Sequence, residues 1–270
     1  MDAEILQKLL QASQQGKRYA FATIIESTLK GTPQKTGAKM VVFEDGTIFG
    51  TIGGGRYEKA AQLECQKAIK QQKPTTVTYS YFGQKGQSVC GGQIKVFIEP
   101  FTGQKHLIIC GGGHIGLPLS VLGKMLNFRV TIIDNRKEFA NKKRFGHVDK
   151  VMEGAYGTAI SKIKINSDTL IMIVTQGNEF DFECLKAVIN TQAGYIGVIS
   201  SLAKRIKFFK RLKEEGIKSN LFNKVNIPAG IDIGAQTPGE IALAIMAEII
   251  SICKTDFIGT SKFREKNQEL

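Results

Sequence analysis

The sequence predicts an α/β protein: a doubly wound parallel sheet in the C-terminal part, preceded by a smaller α+β domain. Three observations carry this expectation. Residues 107–134 read as strand, glycine turn, helix, strand, acid, with Gly111-Gly-Gly-His-Ile-Gly116 after Leu107-Ile-Ile-Cys110 and Asp134 closing the second strand. From His106 onward, apolar strand-like runs alternate with helical patterns. Before Pro100 the strands are short and alternate apolar with polar, the mark of a half-buried sheet.

The elements follow in order. Residues 2–16 form a short amphipathic helix ending at Gly16. Tyr19–Thr28 is a strand, followed by a loop with Gly31, Pro33 and Gly37. Lys39–Thr51 reads as a hairpin, with Asp45-Gly46 as its turn. Gly53-Gly54-Gly55 leads into a helix over about residues 56–72, and Thr75–Phe82 and Gln93–Glu99 are strands. Gly103 and the polar pair Gln104-Lys105 mark the boundary, giving an N-terminal domain over 1–103. A Rossmann-like domain over 104–254 then places strands at 107–110, 129–134, 149–152, 169–175 and 195–199. The continuous apolar run 169–175 suits a parallel sheet covered on both faces. Thr237-Pro238-Gly239-Glu240 is a capping box with proline in the first helical turn. The helix it starts is apolar nearly all round, so it is buried or forms a subunit interface. Residues 255–270 form a polar tail.

Composition bounds the function. The chain has 270 residues, 42% of them hydrophobic, enough for a sizeable core. No apolar run approaches the roughly 18 residues that span a bilayer. The start, Met-Asp-Ala-Glu-Ile-Leu, lacks a signal-peptide pattern. Five scattered cysteines, with no C-x-x-C pair, speak against a zinc site and fit a reducing cytoplasm. A net charge of +13 favours anionic partners. Its densest cluster is 204–213, six basic residues in ten, with Ile206, Phe209 and Leu212 recurring every three. A solvated helix face is the favoured reading of that cluster. The strand-rich N-terminal part offers no helix-turn-helix, which argues against a DNA-binding regulator.

Several residues can carry chemistry. Gly111 permits a tight turn, Gly113 lets a pyrophosphate approach the backbone, and Gly116 lets helix and strand pack closely. His114 and Ile115 fill the variable slots, and His114 either touches a ligand or is an exposed turn residue. Asp134 would hold a ribose hydroxyl and favour NAD, whereas Arg136 would hold a 2′-phosphate; the sequence leaves both open. Thr175 and Gln176 end the fourth strand at the edge where ligands sit, and Asp181 follows as a helix N-cap. Gly53, Gly54 and Gly55 either cradle an anion or form a bend that needs positive φ. Glu58 either faces the same site or complements the helix dipole. Cys90, followed by Gly91 and Gly92 on a loop, is either an accessible thiol or a small buried hydrophobe. Cys65, Cys110, Cys184 and Cys253 fall on core patterns, and His106 and His147 carry no functional pattern.

Taken as an ordered set, these segments resemble the XdhC/CoxI family, accessory proteins of xanthine dehydrogenase and related molybdenum hydroxylases. The matching pieces are Gly37-Ala-Lys-Met40, Asp45-Gly-Thr47, Gly50-Thr-Ile-Gly-Gly-Gly55 with Glu58, Cys90-Gly-Gly92 with Glu99-Pro100, Gly111–Gly116, Asp134-Asn-Arg136 with Phe139, Tyr195-Ile-Gly197, and Pro228–Gly234 through Thr237-Pro238 to Ala247-Glu248. Gln34, Gln176, Asn178 and Ser200 depart from the usual pattern and bear on the ligand preference of the cleft.

The resemblance implies a chaperone that binds the molybdenum cofactor, as molybdopterin or its dinucleotide form. It implies protection of that cofactor during sulfuration and its transfer to an apo-hydroxylase. It also implies Cys90 as a contact to the metal or its sulfur, a cysteine desulfurase as a further partner, and a homodimer. No nucleic acid or membrane partner is expected. The competing reading is an NAD(P)-dependent oxidoreductase that uses the Rossmann domain catalytically.

Overall fold

A computed structural model describes residues 7, 9, 10, 12, 16–28, 35–80, 92–101 and 103–253. The chain divides into two compact units, Met1–Gln104 and Lys105–Leu270.

The first unit is an antiparallel sheet of strands β1 (Tyr19–Ser27), β2 (Lys39–Phe43), β3 (Ile48–Gly50), β4 (Thr75–Ser80) and β5 (Gln93–Phe101), in the order β3-β2-β1-β5-β4. Alternation in β1 sends Ala20, Ala22 and Ile24 to one face, where Ala61, Cys65, Ala68 and Ile69 of helix α1 (Gly55–Gln71) cover them. The small alanines let the helix approach closely. The opposite face carries Tyr19, Phe21, Phe43 and Phe49, packed with Leu9 and Ala12. The β2–β3 hairpin turns at Gly46, φ 88°, where the Asp45 carboxylate accepts the Thr47 N–H at 2.9 Å.

The second unit is an all-parallel sheet of β6 (His106–Cys110), β7 (Arg129–Asp134), β8 (Lys150–Glu153), β9 (Thr169–Ile173), β10 (Tyr195–Val198) and β11 (Val225–Asn226). The spatial order is β11-β10-β9-β6-β7-β8, the Rossmann order with its switch point between β6 and β9. Helices α2 (Gly116–Met125) and α6 (Pro238–Cys253) bury Leu107, Ile109, Val130 and Ile132 on one face. Helices α3 (Tyr156–Ser161), α4 (Asn178–Val188) and α5 (Leu202–Glu214) bury Ile108, Cys110, Ile171 and Ile173 on the other. Both faces being covered explains the unbroken apolar strands.

The expected capping box forms: the Glu240 N–H donates to Thr237 Oγ1 at 3.3 Å, and the Glu240 carboxylate accepts the Gln236 and Thr237 amides. Three expectations are corrected. The sheet has a sixth strand, β11, only two residues long and therefore too short to show alternation. Strand β9 ends at Ile173 rather than residue 175. In α5 the buried residues are Phe208 and Leu212, while Ile206 is 70% exposed. A three-residue spacing runs ahead of the 3.6-residue turn, so the four-residue pair defines the buried face.

Candidate functional site

The glycine turn after β6 sits at the switch point of the sheet, and its glycines divide by what surrounds them. A Cβ on Gly111 (φ 120°) would lie 2.2 Å from the Val174 carbonyl oxygen. On Gly112 it would lie 2.3 Å from the Phe139 carbonyl oxygen, and on Gly116 2.0 Å from that of Gly111. These three positions are closed by backbone. At Gly113 a Cβ would meet nothing within 4 Å. Gly113 is thus where a ligand can reach the turn, at the start of a helix with no side-chain cap on its first amides. His114 is exposed and Ile115 packs partly into the core below.

Asp134 closes β7 beneath this turn and is fully buried. Its carboxylate accepts the Gly112 N–H at 2.8 Å, the Arg136 N–H at 3.0 Å, and Arg136 Nε and Nη2 at 2.9 Å each. Burial alone would raise its pKa, but the hydrogen bonds from Arg136 and Gly112 and the Arg136 charge outweigh it and hold the carboxyl below its usual range. Four bonds fill the four lone-pair sites of a carboxylate. Asp134 therefore shapes the turn and fixes Arg136, and it presents no free oxygen to a ribose. The Arg136 guanidinium lies 3.8 Å over the Phe139 ring. Arg144 donates from Nε to the Gly112 carbonyl at 3.0 Å and so clasps the turn.

Thr175 lies just past β9, close to Gly111, and its hydroxyl donates to Asp181 Oδ1 at 2.6 Å. Asp181 is not the helix N-cap expected from sequence. Gly177 takes that position in extended backbone, and Asp181 is buried one turn further on. Burial pushes the Asp181 carboxyl up, with the Thr175 bonds opposing. Gln176 points out as an exposed residue.

In the first unit, Gly53, Gly54 and Gly55 all have positive φ, at 124°, 70° and 68°. This is the bend that only glycine makes readily. Glu58 closes it: its Oε2 accepts the amides of Ile52 and Gly54, each at 3.1 Å, and the Thr51 hydroxyl. The protein's own carboxylate thus occupies part of the amide cradle. Cβ atoms on Gly54 and Gly55 would meet nothing within 4 Å, so the outer side of the bend stays open. Gly92 is half-buried just before β5, while Cys90 and Gly91 lie outside the described residues. Cys65, Cys110 and Cys184 are buried, Cys253 is half-buried, and no group of three potential metal ligands occurs among the described residues. Nor is any described helix long and apolar enough to cross a membrane.

Residues 107–249 match the model of the XdhC Rossmann domain, and residues 12–80 match that of the XdhC and CoxI family. The chain belongs to the XdhC/CoxI family. Among its relatives, the uncharacterized protein YqeB of Escherichia coli is 29% identical over 253 residues, covering 92% of this chain and 46% of YqeB. A probable xanthine dehydrogenase subunit from Bacillus subtilis is 26% identical over 59% of this chain and 46% of that protein. The chain therefore spans about half the length of these two relatives. The molybdenum cofactor insertion chaperone PaoD of Escherichia coli is 21% identical over 92% of this chain and 87% of its own length. A xanthine dehydrogenase structure from Bacillus halodurans shares the fold, with a TM-score of 0.52 at 21% identity over 94% of this chain and 97% of that one.

Two residues of this XdhC Rossmann unit have structural roles that the sequence did not assign: Arg144, which no motif singled out, and Glu248, which was matched only as part of the family pattern. Arg144 lies about thirty residues beyond the turn it clasps, and no spacing rule connects them. Glu248 is buried in α6, where its carboxylate accepts the Gly230 amide and, at 3.3 Å, the Tyr195 hydroxyl. It ties the loop after β11 to the last helix. An acid inside an otherwise apolar helical run was the available signal.

Proposed function

We propose that this chain is a maturation factor for a xanthine dehydrogenase-type molybdenum hydroxylase. It binds the molybdenum cofactor as cargo, supports its sulfuration, and hands it to the apo-hydroxylase. The observation that carries this reading is the correspondence with PaoD, which runs through most of both chains and so takes in both units. Site chemistry supports it. The cargo is an anionic pterin phosphate, and the Rossmann unit offers an open Gly113 at a helix N-terminus, with Arg136 and Arg144 beside it. The bend at Gly53–Gly55, shaped by Glu58, is a second surface of accessible backbone. Cys90 is assigned the contact to molybdenum or its sulfur, where a soft thiolate suits the partner. A cysteine desulfurase as sulfur source, a homodimer and a cytoplasmic location complete the proposal. NAD(P) is the second ligand the glycine turn would accept.

The test is direct. The purified protein is incubated with molybdopterin, passed through a desalting column, and the retained pterin is measured by fluorescence after oxidation. Stoichiometric retention is expected. No retention by the intact chain under anaerobic conditions would defeat the proposal.

A further inference from the structure

Rossmann clefts that take NAD grip the free ribose diol with the acid closing the second strand. Here that acid cannot do so. Asp134 is fully buried, and its four acceptor sites are filled by Gly112 and Arg136. A ribose hydroxyl would have to displace a bidentate, charge-assisted contact to reach it.

What the corner does present is cationic. Arg136 uses Nε and one N–H of Nη2 on Asp134, leaving three of its five N–H groups for another acceptor. Its side chain is 24% exposed and held in place by Asp134 below and the Phe139 ring beside it. The segment that follows adds Lys137, Lys142, Lys143 and Arg144, the lysines all exposed, against the single exposed acid Glu138. This concentration of positive charge lies directly after β7, where a dinucleotide places its adenosine ribose.

We propose that the Rossmann cleft selects nucleotides carrying a phosphate ester on the ribose 2′-oxygen, the NADP(H) class, over those with a free diol. The 2′-phosphate takes the unused face of the Arg136 fork. Asp134 acts as the positioning residue that aims the fork, and the pyrophosphate passes over Gly113. This goes beyond the maturation role, because it names a ligand distinct from the cargo, and its test needs neither client nor pterin.

The experiment is calorimetric titration of the full chain with NADP+ and NAD+, and with 2′,5′-ADP and 5′-AMP as probes lacking nicotinamide. NADP+ is expected to bind at least about ten-fold tighter than NAD+, and 2′,5′-ADP to exceed 5′-AMP by a similar factor. Added salt should narrow both gaps. Arg136→Gln should erase the preference; if that variant melts early, the surface pair Lys142→Gln/Lys143→Gln should still reduce it. Equal or tighter binding of NAD+ by the wild type would overturn the inference, as would no binding of any nucleotide. The first result leaves the maturation reading intact, and pterin retention is measured separately.

Discussion

Gly113 differs from the other glycines of its turn because nothing crowds the place where its side chain would be. Gly113→Asp should therefore fold normally while setting a carboxylate against the incoming phosphate. Like charges a few ångström apart at a protein surface repel by a few kcal/mol, so nucleotide affinity should fall roughly 100-fold or more. Gly116→Ala makes the opposite prediction. Its Cβ would strike the Gly111 carbonyl, and the fold itself should lose about 1–3 kcal/mol. Calorimetry and melting curves on both variants check this pair; a Gly113→Asp protein that binds like wild type would show that the ligand avoids the turn. His106 carries a prediction of another kind. Its Nδ1 accepts from Arg129 Nη2 at 2.7 Å, so Nε2 bears the proton shared with Thr131 at 2.7 Å. Burial, followed by the Arg129 charge, pushes the imidazole from 6.5 down to about 3. The folded state thus keeps His106 neutral where the unfolded chain would protonate it. Unfolding takes up a proton between these two values, so stability falls as pH drops from 6.5 towards 3. Its slope approaches about 1.4 kcal/mol per pH unit from this group. His106→Gln should flatten the melting-temperature profile over that window, and parallel profiles for the two proteins would refute the assignment.

Among the elements, the junction of β3 with α1 shows how a loop can be ordered by one side chain. Glu58 reaches back to two amides and a hydroxyl, the reciprocal half of a capping box without its serine or threonine. Glu58→Ala should cost about 1–2 kcal/mol locally and speed hydrogen exchange at Ile52 and Gly54. Unchanged protection at those amides would mean the bend is held by something else. The role of Glu58 was only half legible in the sequence. A first-turn acid suggests the helix dipole, but which amides it meets depends on three successive positive-φ glycines. The glycine turn of the Rossmann unit was far more legible, because strand, turn, helix and acid lie within 28 consecutive residues and each glycine has a separate steric reason. The engagement of Asp134 was not legible. Asp134 and Arg136 are two apart in sequence, and only the folded turn decides that the arginine folds back on the acid rather than leaving it for a ligand. Helix α5 misled for a local reason: Ile206 fits a three-residue rhythm, yet the sheet is met through Phe208 and Leu212.

At the scale of the molecule, two units of different architecture each bring a glycine-rich backbone surface, in a chain of net charge +13. A net positive charge of this size favours association with anionic partners. Cys90 is where this view commits to chemistry. Cys90→Ser should leave the melting temperature within about a degree or two and lower the active, sulfurated fraction of the client. If the variant melts early and activates normally, Cys90 is only packing. The measurement that bears most directly on the whole account is client activation. An apo-hydroxylase of the xanthine dehydrogenase type is mixed with molybdopterin and a sulfur source, with and without stoichiometric protein, and its turnover is followed. A maturation factor should raise the yield of active enzyme several-fold without itself oxidising substrate. Equal activation in its absence, with cofactor and sulfur limiting, would contradict the proposed role.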